Sequence, residues 1–245
     1  MAKIYSVNAN DKKVLHFFLS GSIGVGKTTV IDYLKKKMLG NDTFYFVQEY
    51  IDYDPDGKQM LERSLDGSLA LKDFQLYIVD QFYFQMQKFH GNIHSDIAVC
   101  IWERHPMEAL EVFARELNND DKAVVLKAIC KMLDDFHIPH LNGCDITMIN
   151  SFNTAAITPM FVSDWAYNTI LDMMASDVDV HCWCLLRCDL AGVEQYARIR
   201  RRGRSCEINE YAGNNKLMQL NVYYKTLYQR LRFEAEQKLT GEFDD

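Results

Sequence analysis

The sequence lacks most of the features that divide a chain into parts or place it in a membrane. It has four prolines in 245 residues, no internal repeat and no glycine-serine linker. No apolar run approaches the roughly 18 residues that a membrane span requires. The polar start, MAKIYSVNANDKK, also lacks the apolar stretch of a signal peptide. We therefore expect one domain over residues 1–245, located in the cytoplasm.

Cysteine and basic charge are limited as well. The seven cysteines are an odd number, and no two of them have the two-residue separation of a zinc or redox motif. Cys182 and Cys184 alternate along a predicted strand, which directs both of them to one face of a sheet as buried free thiols.

The 34 acidic residues exceed the 27 basic ones and leave a net charge of −7. That balance argues against a general nucleic-acid binder.

Short apolar runs alternate with helical patterns along the chain. The runs are typical of strands buried on both faces and cover residues 14–20, 44–48, 96–102 and 178–187. The helical patterns cover residues 27–38, 74–89 and 122–136, and a last apolar stripe runs from Leu217 to Leu231. We expect Asp120 to cap the third helix and residues 141–159 to form a loop. The alternation predicts an α/β fold with a doubly wound parallel sheet of four to five strands flanked by helices.

A glycine-rich segment follows the first predicted strand. Its spacing of glycine, four residues and then glycine-lysine-threonine is that of a phosphate-binding P-loop, in Gly21, Ser22, Ile23, Gly24, Val25, Gly26, Lys27, Thr28 and Thr29. Glycines allow backbone N–H groups to turn inward around phosphate oxygens, and the next helix adds the positive end of its dipole. We predict that Lys27 reaches the β- and γ-phosphates of a nucleoside triphosphate and that Thr28 holds Mg²⁺.

Charged side chains extend this predicted site. Glu49 and Glu103 each follow an apolar run, and ligands of open α/β sheets lie at the carboxyl edge of the strands. Their carboxylates suit Mg²⁺ binding or proton transfer, and Arg104 suits a phosphate. The chain also carries five arginines within seven residues, from Arg198 to Arg204. This run is either an arginine-rich lid over a triphosphate or an exposed basic helix face.

Taken in order, these motifs resemble the deoxynucleoside kinase family. The resemblance rests on the P-loop, Glu49, the Glu-Arg-His-Pro stretch at residues 103–106 and the arginine segment at residues 198–207. Arg-His-Pro is most similar to the viral thymidine kinases of herpesviruses, whereas the lid's Arg-Gly-Arg-x-x-Glu is more similar to the cellular enzymes. The resemblance implies ATP- and Mg²⁺-dependent phosphorylation of the 5′-hydroxyl of a deoxynucleoside, with thymidine as the first choice, under a lid at about residues 197–209.

The resemblance also implies roles for the charged residues. Glu49 would accept the proton of the 5′-hydroxyl, Arg104 would hold the hydroxyl end and the phosphate, and Glu103 would support Mg²⁺. In the lid, Arg202 and Arg204 would clamp the donor phosphates. Arg198 would lie near the donor adenine, and Glu207 would bind the sugar 3′-hydroxyl.

The base would lie in a pocket formed by helical residues. By resemblance, Gln75 hydrogen-bonds the base edge, while Phe113 and Ile78 pack against the two faces of the base. A primary amide offers one donor and one acceptor side by side, which suits a pyrimidine. Ala109 matches the thymidine enzymes, because family members that take deoxycytidine or purines often have aspartate there.

The chain departs from the family at two places. Tyr50 and Asp54 replace a proline and a tryptophan near Glu49, so we expect Tyr53 to serve as a wall of the nucleoside pocket. The fifth core strand, which the family places near the end of the chain, is not visible in the sequence. Either the sheet has four strands, or another element contacts the donor base.

Two other functions stay open. A nucleoside monophosphate kinase such as thymidylate kinase also uses a P-loop and an arginine lid, but its acceptor phosphate needs a further basic clamp. A nucleotide-binding protein without transferase activity is the other alternative. By resemblance we also expect a homodimer, for which the apolar face of residues 122–136 is a candidate surface.

Overall fold

The computed structural model describes residues 12–93, 95–188, 193–213 and 215–240. These residues form a five-stranded parallel sheet in the order β2-β3-β1-β5-β4. The strands are β1 (Lys13–Ser20), β2 (Phe44–Val47), β3 (Ile97–Glu103), β4 (Met148–Asn153) and β5 (Cys182–Arg187). Such a sheet with helices on both faces confirms the predicted doubly wound architecture. The predictions for the polar start and for the last residues fall largely outside the described ranges.

Nine α-helices lie between and after these strands in the described ranges. They are α1 (Lys27–Lys37), α2 (Tyr50–Tyr53), α3 (Gly57–Leu65), α4 (Leu71–His90), α5 (Asn119–Asp135), α6 (Pro159–Ala175), α7 (Val193–Arg202), α8 (Ser205–Tyr211) and α9 (Asn215–Thr240). A π-helical segment at Ala109–Phe113 separates β3 from α5. No helix of the described ranges is both long enough and apolar enough to cross a bilayer.

The central strands of the sheet are buried on both faces because most of their residues are apolar. Side chains alternate along a strand, so Phe17 and Phe18 enter different clusters. Phe18 packs with residues of α4, α5 and α9, whereas Phe17 packs with residues of α1 and α6. Cys182 and Cys184 are buried together in the second cluster as free thiols, which confirms the prediction from their spacing.

The prediction of a loop over residues 141–159 is wrong, because β4 lies within that range. All six residues of β4 are only partly buried, and Asn150, Ser151 and Asn153 interrupt its apolar pattern, as is common for a strand at the edge of a sheet. β4 pairs with β5 in parallel and precedes it in the chain. It is the fifth strand, so a strand near the end of the chain is not needed to complete the sheet.

Helix α5 differs from its prediction in two ways. Its N-cap is Asn118, whose side chain accepts a hydrogen bond from the backbone N–H of Asp121 at 2.9 Å, so Asp120 is not the cap. Its apolar stripe is buried in the core of this chain at Val125, Ile129, Met132 and Leu133. That stripe is therefore not a free surface for a second copy.

Candidate active site

The P-loop turns sharply between β1 and α1, and two of its glycines are required by their surroundings. Gly21 has φ of 136°, and a Cβ there would lie 2.2 Å from the carbonyl oxygen of Leu186. Gly24 has φ of 78°, and its Cβ would lie 2.9 Å from the carbonyl oxygen of Gln195. Both values of φ lie in the region that L-residues with side chains rarely adopt. The loop can therefore pack closely under β5 and α7 and present its backbone to a ligand.

Lys27 begins α1 with its ammonium group inside the loop. Its Nζ donates to the carbonyl oxygens of Gly21 at 3.2 Å and Ser22 at 3.3 Å, and it lies 4.0 Å from Oε1 of Glu103. Burial and the neighbouring Arg104 lower the pKa of Lys27 to about 8. The ammonium thus occupies the loop in which phosphate oxygens are expected.

Glu49 and Arg104 form a largely buried ion pair beside the P-loop. Glu49 lies two residues after the end of β2 and Arg104 directly follows β3, so parallel neighbouring strands bring them together. The Nε of Arg104 donates to Oε1 of Glu49, and its Nη1 donates to the carbonyl oxygen of Gly21 at 2.7 Å. Burial acts to raise the pKa of Glu49, but Arg104 and Lys27 outweigh it and hold the pKa at about 2. Arg104 itself has φ of 80°, a strained value for a residue with a side chain.

Three carboxylates meet at this edge of the sheet. Glu49, Asp52 and Glu103 each place a ligand atom within 4.8 Å of the others. Asp52 and Glu103 also line a cavity of about 170 Å³ together with Thr28. Burial and the Glu49 carboxylate raise the pKa of Glu103 to about 7. Carboxylate and hydroxyl oxygens are ligands that Mg²⁺ accepts, so these residues fit the predicted ion, and Asp52 is an addition that its three-residue spacing from Glu49 could have suggested.

A cavity of about 420 Å³ opens beside the ion pair, and both of its residues line it. It is lined by most of the residues predicted to bind the acceptor: Glu49, Gln75, Ile78, Arg104, Ala109, Phe113 and Glu207. Arg204, which was predicted to clamp the donor phosphates, also lines this cavity. Tyr53 is not among its described lining residues, where Tyr50 and Ile51 form the wall instead. The ring of Phe113 lies against the guanidinium of Arg104, with 4.7 Å from Cζ to the ring centroid.

Two buried polar atoms in this cavity have no hydrogen-bond partner among the residues that the structure describes. They are Oε1 of Gln75, on α4, and Oε2 of Glu207, on α8. Gln75 is 1% exposed and Glu207 is 5% exposed. Buried acceptors are normally satisfied, so two unsatisfied ones in a single cavity indicate a ligand that donates hydrogen bonds to both.

The arginine segment lies over the P-loop as α7, a turn at Gly203 and α8. Nη2 of Arg202 donates to Oγ1 of Thr28 at 3.3 Å. Arg204 forms ion pairs with Asp52 and Glu207, each at 3.2 Å. Of the two arginines predicted to clamp phosphates, Arg202 therefore contacts the P-loop, whereas Arg204 contacts two carboxylates beside it.

Arg198 points away from the acceptor cavity. Its Nη1 and Nη2 donate to the hydroxyl and the carbonyl oxygen of Thr154, both at 3.3 Å. Thr154 directly follows β4, and its N–H is bonded to the carbonyl oxygen of Arg187 at the end of β5. The residues after β4 are thus the ones that face the arginine predicted to contact the donor adenine.

A buried side-chain network holds α7 and α9 on the P-loop, and nothing in the sequence pattern indicated it. Nε2 of Gln195 donates to Oγ of Ser22 at 2.6 Å. The hydroxyl of Ser22 donates to Oδ1 of Asn221, whose Nδ2 donates to Oε1 of Gln195 at 2.9 Å. The three residues close a ring of hydrogen bonds, which fixes the lid helix against the loop.

The chain is similar to a known protein family over about half of its length. The family model described as "Deoxynucleoside kinase" matches residues 17–143, which is more than half of the chain. A comparison with curated protein sequences found no match.

Solved structures of deoxyadenosine kinase from M. mycoides are also similar to the chain. The structure with bound dATP is 17% identical, covers 94% of this chain and 100% of that chain, and has a TM-score of 0.46. The structure with the products dCMP and dCDP is 17% identical, covers 88% and 84%, and has a TM-score of 0.48. The structure with dCTP is 17% identical, covers 90% and 86%, and has a TM-score of 0.46.

Proposed function

This chain belongs to the deoxynucleoside kinase family, and we propose that it transfers the γ-phosphoryl group of ATP to the 5′-hydroxyl of a deoxynucleoside, thymidine before the others. ATP and Mg²⁺ would bind at the P-loop, and the nucleoside would bind in the cavity of about 420 Å³. A cytoplasmic location, a homodimer, a single domain and the likeness to herpesvirus enzymes stay predictions.

The observation that carries this proposal is the pair of unsatisfied acceptors. Oε1 of Gln75 and Oε2 of Glu207 lie in the same cavity as the Glu49–Arg104 ion pair. A deoxynucleoside offers a base N–H, a sugar 3′-hydroxyl and a 5′-hydroxyl along one molecule. The first two would satisfy Gln75 and Glu207, and the third would reach Glu49 next to the P-loop.

Glu49 would accept the proton of the 5′-hydroxyl. With its pKa held at about 2, the carboxylate is a weak base but is ionised at every physiological pH. Phosphoryl transfer passes through a loose transition state, so the base need only orient the hydroxyl and receive its proton as the new P–O bond forms. Arg104 contacts both Glu49 and the P-loop carbonyl of Gly21, and would hold the hydroxyl end against the transferring group.

The basic side chains at the P-loop would neutralise the negative charge of the donor phosphates. Lys27 would exchange its carbonyl partners for the β- and γ-phosphate oxygens, and Arg202 and Arg204 would close over the same group. Thr28 and Glu103, with Asp52 beside them, would hold Mg²⁺, which supplies charge neutralisation of the phosphates when bound. The donor adenine would lie near Arg198 and the residues after β4, which Arg198 contacts at Thr154.

Selectivity for thymine would follow from Gln75 and Ala109. The amide of Gln75 can accept from the N–H and donate to a carbonyl of the thymine edge. Ala109 is buried beside the cavity and adds no charge there. Because an amide suits cytosine as well, the absence of a carboxylate at Ala109 is what favours thymidine.

A phosphoryl-transfer screen tests the proposal. ATP and GTP, each with Mg²⁺, are offered with the four deoxynucleosides and, in parallel, with thymidine monophosphate. We expect thymidine 5′-monophosphate as the main product. Transfer to thymidine monophosphate alone would identify a monophosphate kinase, and tight nucleotide binding without any transfer would identify a non-enzymatic protein.

A further inference from the structure

Glu108 is a fully buried carboxylate that none of the roles above uses. It is 0% exposed and directly precedes the π-helical segment after β3. Its Oε1 accepts hydrogen bonds from the hydroxyl of Ser20, the backbone N–H of His105 at 3.1 Å and the indole N–H of Trp183 at 3.2 Å. Its Oε2 accepts one from the hydroxyl of Tyr224 at 2.7 Å. Four donors therefore converge on one side chain beneath the site.

The hydroxyl of Tyr224 joins this carboxylate to the active-site arginine. Tyr224 comes from α9, 116 residues further along the chain, and is 2% exposed. Its O–H donates to Glu108, which leaves its lone pairs to accept from Nη1 of Arg104. The same nitrogen lies 4.0 Å from Oε2 of Glu108. The carboxylate thus acts on the arginine both directly, as a charge, and through the hydroxyl.

We propose that Glu108 and Tyr224 are positioning residues for phosphoryl transfer. They hold the guanidinium of Arg104 so that Nε meets Glu49 and Nη1 meets the carbonyl oxygen of Gly21. Arg104 needs such support because its backbone has φ of 80° and its long side chain has many other rotamers. This inference rests on the proposed function, since it concerns the arginine that would orient the acceptor.

The substitution Glu108→Gln keeps the shape of the side chain but changes the hydrogen bonds that it can form. The backbone N–H of His105 and the indole N–H of Trp183 both donate to Oε1 of Glu108, and neither group can act as an acceptor. In Glu108→Gln the amide oxygen must therefore occupy the position of Oε1. The amide NH₂ then faces Tyr224 and donates to its hydroxyl, whose proton has to leave its present direction. The hydroxyl becomes a poorer acceptor for Arg104, although the volume of the side chain at Glu108 is unchanged.

Steady-state kinetics on four single variants test the proposal. We expect Glu108→Gln and Tyr224→Phe each to lower kcat for thymidine about tenfold, while KM changes less than about twofold, because misplacing a catalytic group mainly affects the reacting geometry. Matched controls are Glu111→Gln, a partly exposed carboxylate in the same segment, and Tyr228→Phe, one turn along α9. Both controls should keep the wild-type kcat.

A double-mutant cycle distinguishes positioning from simple loss of stability. In an Arg104→Lys background the forked guanidinium is absent, so Tyr224→Phe should no longer change kcat, although it should still lower the melting temperature. An equal loss of kcat in both backgrounds, or full kcat in the single variants, would overturn the proposal.

A spectroscopic readout does not depend on activity. The Nε–H of Arg104 should give a sharp, slowly exchanging signal in a ¹⁵N-correlated NMR spectrum, assigned by its absence in Arg104→Lys. We expect it to shift and broaden in Tyr224→Phe and Glu108→Gln but not in the controls. An unchanged signal in Tyr224→Phe and Glu108→Gln would contradict the positioning role, whether or not the wild type transfers a phosphoryl group. Absence of transfer by the wild type would instead refute the proposed function.

Discussion

The acceptor end and the donor end of the site differ in how their charges are held. At the acceptor end, Arg104 and Glu49 have side chains only 12% and 16% exposed, and Glu108 and Tyr224 support them from the core. At the donor end, Arg202 is exposed and touches the P-loop through one hydrogen bond of 3.3 Å to Thr28. A buried, hydrogen-bonded group is in place before a ligand binds, whereas an exposed arginine needs an anion to hold it. The acceptor end is therefore preorganised, and under the proposed function the nucleotide would complete the donor end.

The largest effect should come from the preorganised end. Glu49→Gln removes the proton acceptor and should lower kcat for thymidine by about 10²-fold or more, with little change in the thymidine Kd. Steady-state kinetics and calorimetric titration measure the two quantities. Glu62→Gln, an exposed carboxylate on α3, is the control. Near-normal turnover in Glu49→Gln would remove Glu49 from its proposed role.

At the donor end, Arg202→Ala and Arg204→Ala should each cost a few kcal/mol of transition-state stabilisation, or about 10²-fold in kcat. The KM for ATP should rise more than the KM for thymidine, because in the proposal the two arginines contact the donor phosphates. Arg201→Ala, an exposed neighbour in the same helix, is the control. A change confined to the KM for thymidine would show that the segment does not clamp the donor.

Base selectivity should respond to a single carboxylate in the cavity. Ala109→Asp should raise the preference for deoxycytidine over thymidine by about tenfold, because the carboxylate accepts from the cytosine amino group and repels the thymine carbonyl. Ala109→Asn adds similar volume without charge and is the control. The ratio of kcat/KM values is the measurement. Equal ratios in wild type and Ala109→Asp would place the base edge elsewhere.

The same two ends differ in how well the sequence predicted them. The P-loop, Glu49 and Arg104 were predictable, because local motifs at strand ends are brought together by any parallel sheet with this order. Glu108 and Tyr224 were not, since their contact joins segments 116 residues apart and Tyr224 is one more apolar-stripe residue of a long helix. β4 was missed because an edge strand needs no continuous apolar run. Its position explains how the sheet reaches five strands without a strand near the end of the chain.

The smallest effect concerns stability in acid. His105 is buried with Nδ1 accepting from the N–H of Met107 at 3.0 Å, and burial lowers its pKa to about 3 from the ordinary 6.5. The unfolded chain therefore binds a proton that the folded chain rejects. The contribution of neutral His105 to the free energy of unfolding is constant above pH 6.5. It falls as the pH drops from there towards 3, by up to about 1.4 kcal/mol per pH unit.

Urea unfolding at pH 7.5 and pH 5.5, in about the range where this proton is taken up, measures the effect. We expect His105→Gln to lose less stability between the two values than the wild type does. His137→Asn is the control, because His137 is exposed and its φ of 52° is one that asparagine tolerates. If the free energy of unfolding of His105→Gln fell between the two pH values as much as that of the wild type, His105 would not be the group that takes up this proton.

A crystal structure of the chain with thymidine and a non-hydrolysable ATP analogue tests the central claim most directly. The 5′-hydroxyl oxygen should lie within hydrogen-bond distance of a carboxylate oxygen of Glu49, with the base against Gln75 and the γ-phosphate at Lys27. Thymidine bound outside the cavity, or a Glu49 carboxylate turned away from the 5′-hydroxyl, would contradict the proposed transfer.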